Sequence, residues 1–272
     1  MEYVNVNLSF NGRQIKMLFD ASSPVQQSIL DQLSNNGTYE RETQLLLMRV
    51  LGDGNTFLDI GAHIGYFTLL ASAAVGNSGK VIAVEPIDEN YKQLENHINI
   101  NALENIETIQ VVVGSVDGKT QIYFNADNDG GHALWDPGKH PANQLTRDHP
   151  RADTVQSVTL GTLLERYGVD RARLIKIDTE GAEILILGAA RSVFIEKRVD
   201  FVIMEVNVSG LGLLGSSIDD LFSLVNELGY DVYLPHPDAE RPIPLTDENR
   251  PNPRYVYNVL MARPETLDEE WG

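Results

Sequence analysis

From residue 56 onward, short runs of β-branched residues alternate with longer stretches whose apolar positions recur at helical spacing. This alternation is typical of strands joined by crossover helices in a mostly parallel α/β sheet. The predicted strands are TFLDI (56–60), KVIAVE (80–85), TIQVVV (108–113), TQIYF (120–124), TVQSVTL (154–160), RLIKID (173–178), VDFVIMEV (199–206), YDVYLP (230–235) and VYNVLMAR (256–263). The predicted helices are YFTLLASAAV (66–75), DENYKQLENHININ (88–101), LGTLLERYG (160–168), AEILILGAARSVF (182–194) and IDDLFSLVNELG (218–229).

The two ends of the chain lie outside this alternation. In residues 1–50, the segments SPVQQSILDQLS and ETQLLLMRVL have the spacing of two helices. We therefore expect residues 1–50 to form a helical cap that belongs to the same domain as the sheet of residues 51–265. The final segment PETLDEEWG is acidic, and residues 266–272 are expected to be a mobile tail.

One long segment, residues 126–153, has no periodicity and is rich in Gly, Pro, Asn and Asp. Loops of this length inside a compact domain are usually functional or flexible. A flexible insertion is one interpretation. However, Trp135 lies here close to His132, and an indole gains little from a fully solvated position. This favours a substrate lid in which Trp135 contacts the substrate.

Charge and composition narrow the classes of partner. The net charge is −18, which disfavours binding to nucleic acid and to anionic membranes. The chain has no cysteine, which excludes disulfides and thiolate metal sites. No apolar stretch approaches the roughly 20 residues of a membrane span, and the N-terminus lacks a signal-peptide pattern. We expect a cytoplasmic protein with a small-molecule substrate; the oligomeric state stays open.

Acidic residues and glycines end the predicted strands. In open parallel sheets, ligands bind at the carboxyl ends of the strands, where loop amides and helix N-termini converge. Each acid has a structural alternative, because it can cap the next helix or pair with a cation. Their occurrence along one sheet edge favours a binding site. The residues concerned are Asp59, Gly61, Glu85, Gly114, Ser115, Asp178, Glu180 and Glu205.

The turn after the first of these strands carries a G-x-x-x-G spacing. Gly61 and Gly65 bracket Ala62, His63 and Ile64, and the middle glycine of the G-x-G-x-x-G dinucleotide motif is missing. This disfavours a nicotinamide cofactor. The two glycines would instead let the backbone approach an adenosine and an amino-acid carboxylate, and S-adenosylmethionine contains both parts.

Five further residues fit the same ligand. Glu85 follows Gly65 by about 20 residues, the separation at which a carboxylate reaches ribose hydroxyls, and Pro86 ends the strand pairing. Asp59 suits the positive charge of an amino group and a sulfonium, directly or through water. Main-chain groups of Gly114 and Ser115 are expected near the adenine.

Four segments, FLDIGAHIGYFT, VIAVEP, LIKIDTEGAEILILGA and VIMEV, resemble the FkbM-type family of S-adenosylmethionine-dependent methyltransferases in residues, order and spacing. GTYE (37–40) resembles the family's entry segment. The resemblance implies a Rossmann-like seven-stranded methyltransferase sheet in a three-layer α/β/α arrangement. It also implies methylation of hydroxyl groups on small molecules, sugars or natural products. His63 stands where the family more often has asparagine, so the hydrogen bonding of that turn is left open.

Methylation of a hydroxyl is helped by a base. Asp178 and Glu180 end an apolar strand where such a base would lie, although Lys176 on the same strand face could pair with Asp178. His132 is a third candidate base, since an unperturbed imidazole titrates near neutral pH, but a loop histidine is more often solvated.

Other acids and histidines receive weaker assignments. Glu205 is a candidate substrate contact, and Glu40 could fold over the methionine end of the cofactor or simply interact with its own helix dipole. Asp178 with Glu205 could hold Mg²⁺, but nothing in the sequence requires a metal, and the histidines of the loop match no compact ligand spacing. His97 and His236 are expected on the surface.

The sequence therefore predicts an S-adenosylmethionine-dependent O-methyltransferase. Two alternatives remain: a nicotinamide-dependent oxidoreductase, and a non-catalytic cofactor-binding module. The second would bind the cofactor without an acceptor pocket beneath residues 126–153.

Overall fold

The computed structural model describes residues 3–238, 240–252 and 254–272. In these ranges the chain forms a large mixed sheet with helices on both faces, a smaller three-stranded sheet and an N-terminal hairpin. The predicted Rossmann-like α/β class is confirmed.

The strands are β1 (Tyr3–Phe10), β2 (Arg13–Asp20), β3 (Thr56–Ile60), β4 (Lys80–Val84), β5 (Ile106–Ile109), β6 (Val112–Val113), β7 (Gly118–Tyr123), β8 (Ala152–Val158), β9 (Ala172–Ile177), β10 (Val199–Val206), β11 (Asp231–Leu234), β12 (Ile243–Pro244) and β13 (Tyr257–Ala262). The helices are α1 (Pro24–Asn36), α2 (Arg41–Val50), α3 (Tyr66–Val75), α4 (Asp88–Ile100), α5 (Gln144–Asp148), α6 (Leu160–Arg166), α7 (Glu183–Ala189), α8 (Arg191–Ile195), α9 (Val208–Leu213), α10 (Ile218–Glu227) and α11 (Pro264–Trp271).

The large sheet has the strand order β12-β11-β13-β10-β9-β3-β4-β5. Strands β10, β9, β3, β4 and β5 are parallel, and β13, β11 and β12 complete the sheet in antiparallel pairings. The two-residue β12 extends the expected seven strands at one edge. The chain leaves β3 for β4 on one side and returns to β9 on the other, so a topological switch point lies between β3 and β9. Ligands of open α/β sheets bind outside the strand ends at such a point.

Alternating side chains of the central strands pack into two separate cores, which produces the three layers. In β3, Phe57 belongs to the core under α1, α2, α3 and α11, whereas Leu58 and Ile60 belong to the core under α6, α7, α8 and α10. A strand covered on both faces buries successive residues in opposite layers. Asp59 projects into the first layer and is only 1% exposed.

The predicted helical cap is only half of the N-terminal segment. The two predicted helices form α1 and α2, but residues 3–20 form the antiparallel hairpin β1–β2, which the sequence analysis missed. Asn11 and Gly12 both have positive φ, as a two-residue Asn-Gly hairpin turn requires. That dipeptide between alternating apolar residues was the available signal.

The predicted mobile tail is wrong for the described structure. Residues 264–271 form α11, in which Leu267 is fully buried and Trp271 packs edge-on against Phe201. Glu270 pairs with Arg173, which anchors the acidic helix to β9. An amphipathic helix with a cationic neighbour is ordered despite its charge.

The predicted strand TIQVVV breaks in two. Residues 106–109 join the large sheet as β5, whereas β6 pairs with β8 in the three-stranded sheet β6-β8-β7. The segment 126–153 is also structured, with a short 3₁₀ turn at Pro137–Lys139, the helix α5 and a bridge between Ala133 and Tyr123. No helix in the described part of the chain is long and apolar enough to cross a membrane.

The expectation that His97 lies on the surface is wrong, and His236 is only partly exposed. His97 is fully buried: its Nδ1–H donates to the carbonyl of Ile64 (2.7 Å), and its Nε2 accepts from the N–H of Leu18 (2.9 Å). Burial lowers the pKa of His97. The ring therefore joins the N-terminal hairpin to the glycine turn.

Candidate functional site

A cavity of about 250 Å³ opens at the carboxyl ends of β3, β4, β9 and β10. This space, called the main cavity below, lies at the switch point of the sheet, where ligands of open α/β sheets bind. The predicted residues that line it are Glu40, Gly61, His63, Glu85, Pro86, His132, Asp178, Glu180 and Glu205. Tyr39 and Val113, which lie beside predicted residues in the sequence, also line it. Lining residues that the sequence analysis did not assign include Asn90, Val111, Val112, Asn128 and Leu134.

Glu85 is held in place at the end of β4 by two main-chain donors. Its Oε2 accepts from the N–H of His63 (2.9 Å), and its Oε1 accepts from the N–H of Ile87 (2.9 Å). The residue is 4% exposed, and burial raises the pKa of its carboxyl. The carboxylate is thus oriented toward the cavity before any ligand binds.

The glycines of the turn have a different explanation from the one expected. Gly61 has a φ of +86°, and a Cβ there would lie 1.9 Å from the carbonyl oxygen of Asp178. Gly65 has a φ of +91°, and its Cβ would lie 2.5 Å from Cδ1 of Leu94. The protein's own neighbouring strand and helix therefore exclude a side chain. Gly61 lines the cavity, whereas Gly65 does not.

Asp59 and Ala62 lie beside a smaller cavity of about 40 Å³ instead of the main one. Asp59 Oδ2 accepts from the hydroxyl of Thr68 (2.6 Å), and its buried Oδ1 has no hydrogen-bond partner in the described structure. Burial raises the pKa of Asp59. The unpartnered oxygen is the feature of this residue that a ligand or a water could satisfy.

At the end of β9, Asp178 forms the ion pair with Lys176 that the sequence offered as the alternative to a role as base. Lys176 is 3% exposed, and its Nζ lies 2.5 Å from Oδ2 of Asp178. Burial opposes the charge of Lys176, but the carboxylates of Asp178, Glu40 and Asp59 keep its pKa above the ordinary value. Asp178 therefore faces the cavity as one half of a charge pair.

Glu180 follows in a strained turn, with a φ of +57°. Its Oε2 accepts from the side-chain amide of Asn207 (2.5 Å), and its carbonyl accepts from the indole N–H of Trp135 (2.6 Å). Burial and the nearby charge of Asp178 raise the pKa of Glu180 to about 8. Left-handed non-glycine residues held by several contacts are common at functional sites.

Two further carboxyl side chains, Glu205 and Glu183, lie near Asp178. Among the described residues, Oε1 of Glu205 has no hydrogen-bond partner, and burial together with Asp178 and Glu180 raises the pKa of Glu205 well above the ordinary value. Glu183, which the sequence analysis missed, is fully buried; its Oε1 accepts from the hydroxyl of Thr179 (3.0 Å) and the N–H of Gly181 (3.1 Å). Burial raises the pKa of Glu183 to about 7. An acid at the start of α7 was its only signal in the sequence.

His132 faces the cavity with the opposite hydrogen-bonding role from the one predicted. Its Nδ1 accepts from the N–H of Asn125 (3.0 Å), so the proton of the neutral ring is on Nε2. Burial lowers the pKa of His132 to about 4. The geometry therefore makes His132 a hydrogen-bond donor and argues against a role as the base.

Contacts at several points tie the 126–153 segment to the rest of the domain. Asp129 accepts from the hydroxyl of Ser23 (2.6 Å) and lies 3.7 Å from Nε2 of His63. Trp135 is buried against the Glu180 turn and lines a second cavity instead of the main one.

The surroundings of Gly114, Ser115 and Glu40 differ from those that the sequence predicted. Gly114 donates its N–H to the carbonyl of Val158 (2.9 Å), and the exposed Ser115 follows it, so neither lines the main cavity. Because the predicted strand breaks between β5 and β6, both residues lie in the connection from β6 to β7, beside the three-stranded sheet. Glu40 is the N-cap residue of α2, and its side chain makes no capping hydrogen bond. Its Oε2 instead accepts from the side-chain amide of Asn258 (3.0 Å).

Within residues 3–238, 240–252 and 254–272, no group of three or more His, Cys, Asp or Glu side chains is placed to hold a metal ion. The acids of the site are therefore spread along the cavity walls.

Comparison with known proteins identifies one family. The profile of the FkbM methyltransferase domain matches residues 59–232, more than half of the chain. No curated protein matches the sequence.

Three similar solved structures have low sequence identity. The FkbM methyltransferase of Methylobacillus flagellatus KT is 16% identical (TM-score 0.46; 79% of this chain and 47% of that chain covered). A SAM-dependent O-methyltransferase of Thermotoga maritima is 13% identical (TM-score 0.44; 96% and 77% covered). An rRNA methylase of Streptococcus thermophilus is 14% identical (TM-score 0.44; 81% and 93% covered).

Proposed function

This chain belongs to the FkbM methyltransferase family, and on that premise we propose that it transfers a methyl group from S-adenosylmethionine to a hydroxyl oxygen of a small-molecule acceptor. One observation carries the proposal. A single cavity has the preorganised carboxylate of Glu85 on one side and the carboxyls of Asp178, Glu180 and Glu205 on the other.

The residues present suit the parts of this cofactor. Each oxygen of Glu85 accepts one main-chain N–H and keeps a lone pair for a ribose hydroxyl. Val111, Val112 and Leu134 give apolar walls for an adenine, in place of the expected Gly114 and Ser115. The Nε2–H of His132 adds a donor at the same wall.

The charge of the site favours a cationic ligand. Asp59, with its unpartnered oxygen, lies near Glu40 and Asp178, and Lys176 is the cation among them. An amino group and a sulfonium are attracted by such surroundings, whereas a pyrophosphate is repelled. This argues against the nicotinamide-dependent alternative, as does the missing middle glycine of the turn.

When bound, S-adenosylmethionine supplies an activated methyl group on a sulfonium. An alcohol is a weak nucleophile, so a base that takes its proton assists the transfer. We assign that role to Glu180, whose pKa of about 8 suits proton removal near neutral pH. Asp178 is compensated by Lys176, and its part is to hold charge and position beside the cofactor.

A catalytic role is supported over a binding module by the space beside Glu180. A second cavity of about 210 Å³ borders the 126–153 segment and shares Glu180 with the main cavity. A module that only bound the cofactor would have no use for an acceptor pocket at this position.

The test begins with calorimetry. We expect S-adenosylmethionine and S-adenosylhomocysteine to bind, NADH not to bind, and Glu85→Ala to weaken the binding. A metabolite library is then screened for acceptor-dependent release of S-adenosylhomocysteine. Binding of NADH in place of the methyl donor would overturn the proposal, as would cofactor affinity that is indifferent to Glu85.

A further inference from the structure

The second cavity lies between the 126–153 segment, the start of α9 and residues 254–256. We infer that it is the acceptor site and that it takes an uncharged, polyhydroxylated ring compound; the inference rests on the proposed function. Asn128 and Glu180 line both cavities, so they form the wall between them. A hydroxyl held in the second cavity therefore lies beside the carboxylate that we assign as the base.

One wall of this cavity presents two oriented amide donors. Asn125 Oδ1 already accepts from the N–H of Asp127 (3.0 Å), and Asn128 Oδ1 accepts from the N–H of Gly130 (2.9 Å). Each oxygen is thereby held by a main-chain N–H, which fixes the orientation of the amide. Both amide nitrogens point toward Gly131, where a Cβ would lie 2.8 Å from Asn125 Nδ2 and 3.2 Å from Asn128 Nδ2. Among the described residues, neither nitrogen has a hydrogen-bond acceptor.

Other groups of the same cavity present acceptors. Asn143 donates its Nδ2 to the carbonyl of Pro137 (3.0 Å), which leaves its Oδ1 for a ligand. Glu180 uses Oε2 for the amide of Asn207, which leaves Oε1. Fixed donors and fixed acceptors around one space suit hydroxyl groups, because each hydroxyl both donates and accepts.

Aromatic surfaces complete the site. The indole N–H of Trp135 is used by the carbonyl of Glu180, so the ring offers only its apolar surface. Tyr255 is 70% exposed at the mouth of the cavity. Flat aromatic surfaces beside amides fit a ring that has C–H groups on its faces and hydroxyls on its edge. Two aliphatic residues, Val208 and Val256, line the cavity, which is few for a phenolic ring.

Charge favours a neutral acceptor. Arg254 lies at the mouth, and Glu180, which is negatively charged in the form that acts as the base, lies at the wall; His140 is in the same lining. A carboxylate on the acceptor would meet Glu180 and the acids behind it, so the guanidinium of Arg254 serves as a donor to hydroxyls.

The experiment uses the whole protein saturated with S-adenosylhomocysteine and observes its indole N–H signals by NMR. The chain has two tryptophans, so Trp135→Phe assigns the signal of Trp135 and Trp271 is an internal control. The probes are methyl α-D-glucopyranoside, methyl α-D-galactopyranoside and myo-inositol, with methyl α-D-glucuronide and phenol as the charged and planar counterparts.

We expect at least one neutral probe to shift the Trp135 signal and not the Trp271 signal. Tyr255→Ala should weaken the binding of that probe roughly threefold, since one aromatic contact is lost. Tyr3→Ala, which removes an exposed tyrosine that does not line this cavity, should leave the affinity of the probe unchanged. The inference is overturned if no neutral probe shifts Trp135, if phenol alone does so, or if the glucuronide binds about tenfold or more tightly than the glucoside.

The two proposals fail in distinguishable ways. S-adenosylhomocysteine that binds while no neutral ring reaches Trp135 refutes the acceptor site alone. A protein that does not bind S-adenosylhomocysteine refutes the proposed function, and the acceptor site with it.

Discussion

The main-chain N–H of His63 donates to Oε2 of Glu85 over 2.9 Å, which holds the turn after β3 against the end of β4. A second main-chain donor, from Ile87, holds the other oxygen. Glu85 therefore belongs to the binding surface and to the framework of that surface, and its substitution should affect both to different degrees.

We predict that Glu85→Gln weakens S-adenosylhomocysteine binding about tenfold, because one charged acceptor for the ribose is lost. Glu85→Ala should weaken it further, since both anchoring bonds also disappear. Isothermal titration calorimetry measures the effect. Glu107→Ala, which removes an exposed carboxylate of β5, is the control and should bind as the wild type does. An unchanged affinity in Glu85→Ala would remove Glu85 from the site.

Glu180→Gln should lower turnover about 100-fold or more and leave cofactor affinity nearly unchanged, because the base is lost. The amide retains an oxygen that can accept from Asn207. Asp178→Asn should have a smaller effect on turnover, since Lys176 already compensates the charge of Asp178. The measurement is release of S-adenosylhomocysteine with an acceptor found in the screen. Equal losses in the two variants would contradict the assignment.

The same base predicts the pH dependence of the wild type. Glu180 accepts a proton only when it is ionised, and its pKa is raised to about 8. The rate at limiting substrate should therefore rise with pH and level off above about pH 8, with a slope near tenfold per pH unit below it. A rate that is flat over the roughly two pH units below the pKa of about 8 would count against Glu180.

Glu183 predicts how stability depends on pH. Its pKa is raised by burial from an ordinary 4.5 to about 7, so the folded state holds the proton more tightly than the unfolded state. Its contribution is fully present below about pH 4.5 and is lost as pH rises through 7. The free energy of unfolding should fall by about 3 kcal/mol over that window.

Glu183→Gln keeps an oxygen for Thr179 and Gly181 but cannot ionise, so urea titrations at several pH values should show a flatter curve. Glu165→Gln, an exposed glutamate of α6, should retain the wild-type slope. If Glu183→Gln had the same slope as the wild type, ionisation of Glu183 would not be the cause.

Gly61→Ala should destabilise the protein by about 4 kcal/mol or more, because the added Cβ would overlap the carbonyl of Asp178 and also strain the backbone. Gly12→Ala is the matched control: its φ is +76°, but nothing lies within 4 Å of the added Cβ. It should cost only about 1 kcal/mol of backbone strain. Chemical denaturation measures the free energy of unfolding of both variants. Similar decreases would show that backbone strain alone, without the overlap with Asp178, explains the effect of Gly61→Ala.

Much of the fold follows from local patterns. Apolar runs and helical spacing predicted most of the strands and crossover helices, because both depend on neighbours a few residues away. The exceptions are TIQVVV, which divides between β5 and β6, and the predicted helix 182–194, which forms the two helices α7 and α8. The hairpin β1–β2, which the sequence analysis missed, is also encoded locally, in its Asn-Gly turn between alternating apolar residues.

The strand ends were equally legible in the sequence: Gly61, Glu85, Asp178, Glu180 and Glu205 meet at one cavity, since the ends of parallel strands share one edge. Tertiary contacts decided what each residue does there. The side chain of Leu94 leaves no room for a side chain at Gly65, and the N–H of Asn125 places the proton of neutral His132 on Nε2. The break after β5 takes Gly114 out of the main cavity. Burial, hydrogen-bond partners and proton positions arise between residues that are distant in the chain, so no local pattern contains them.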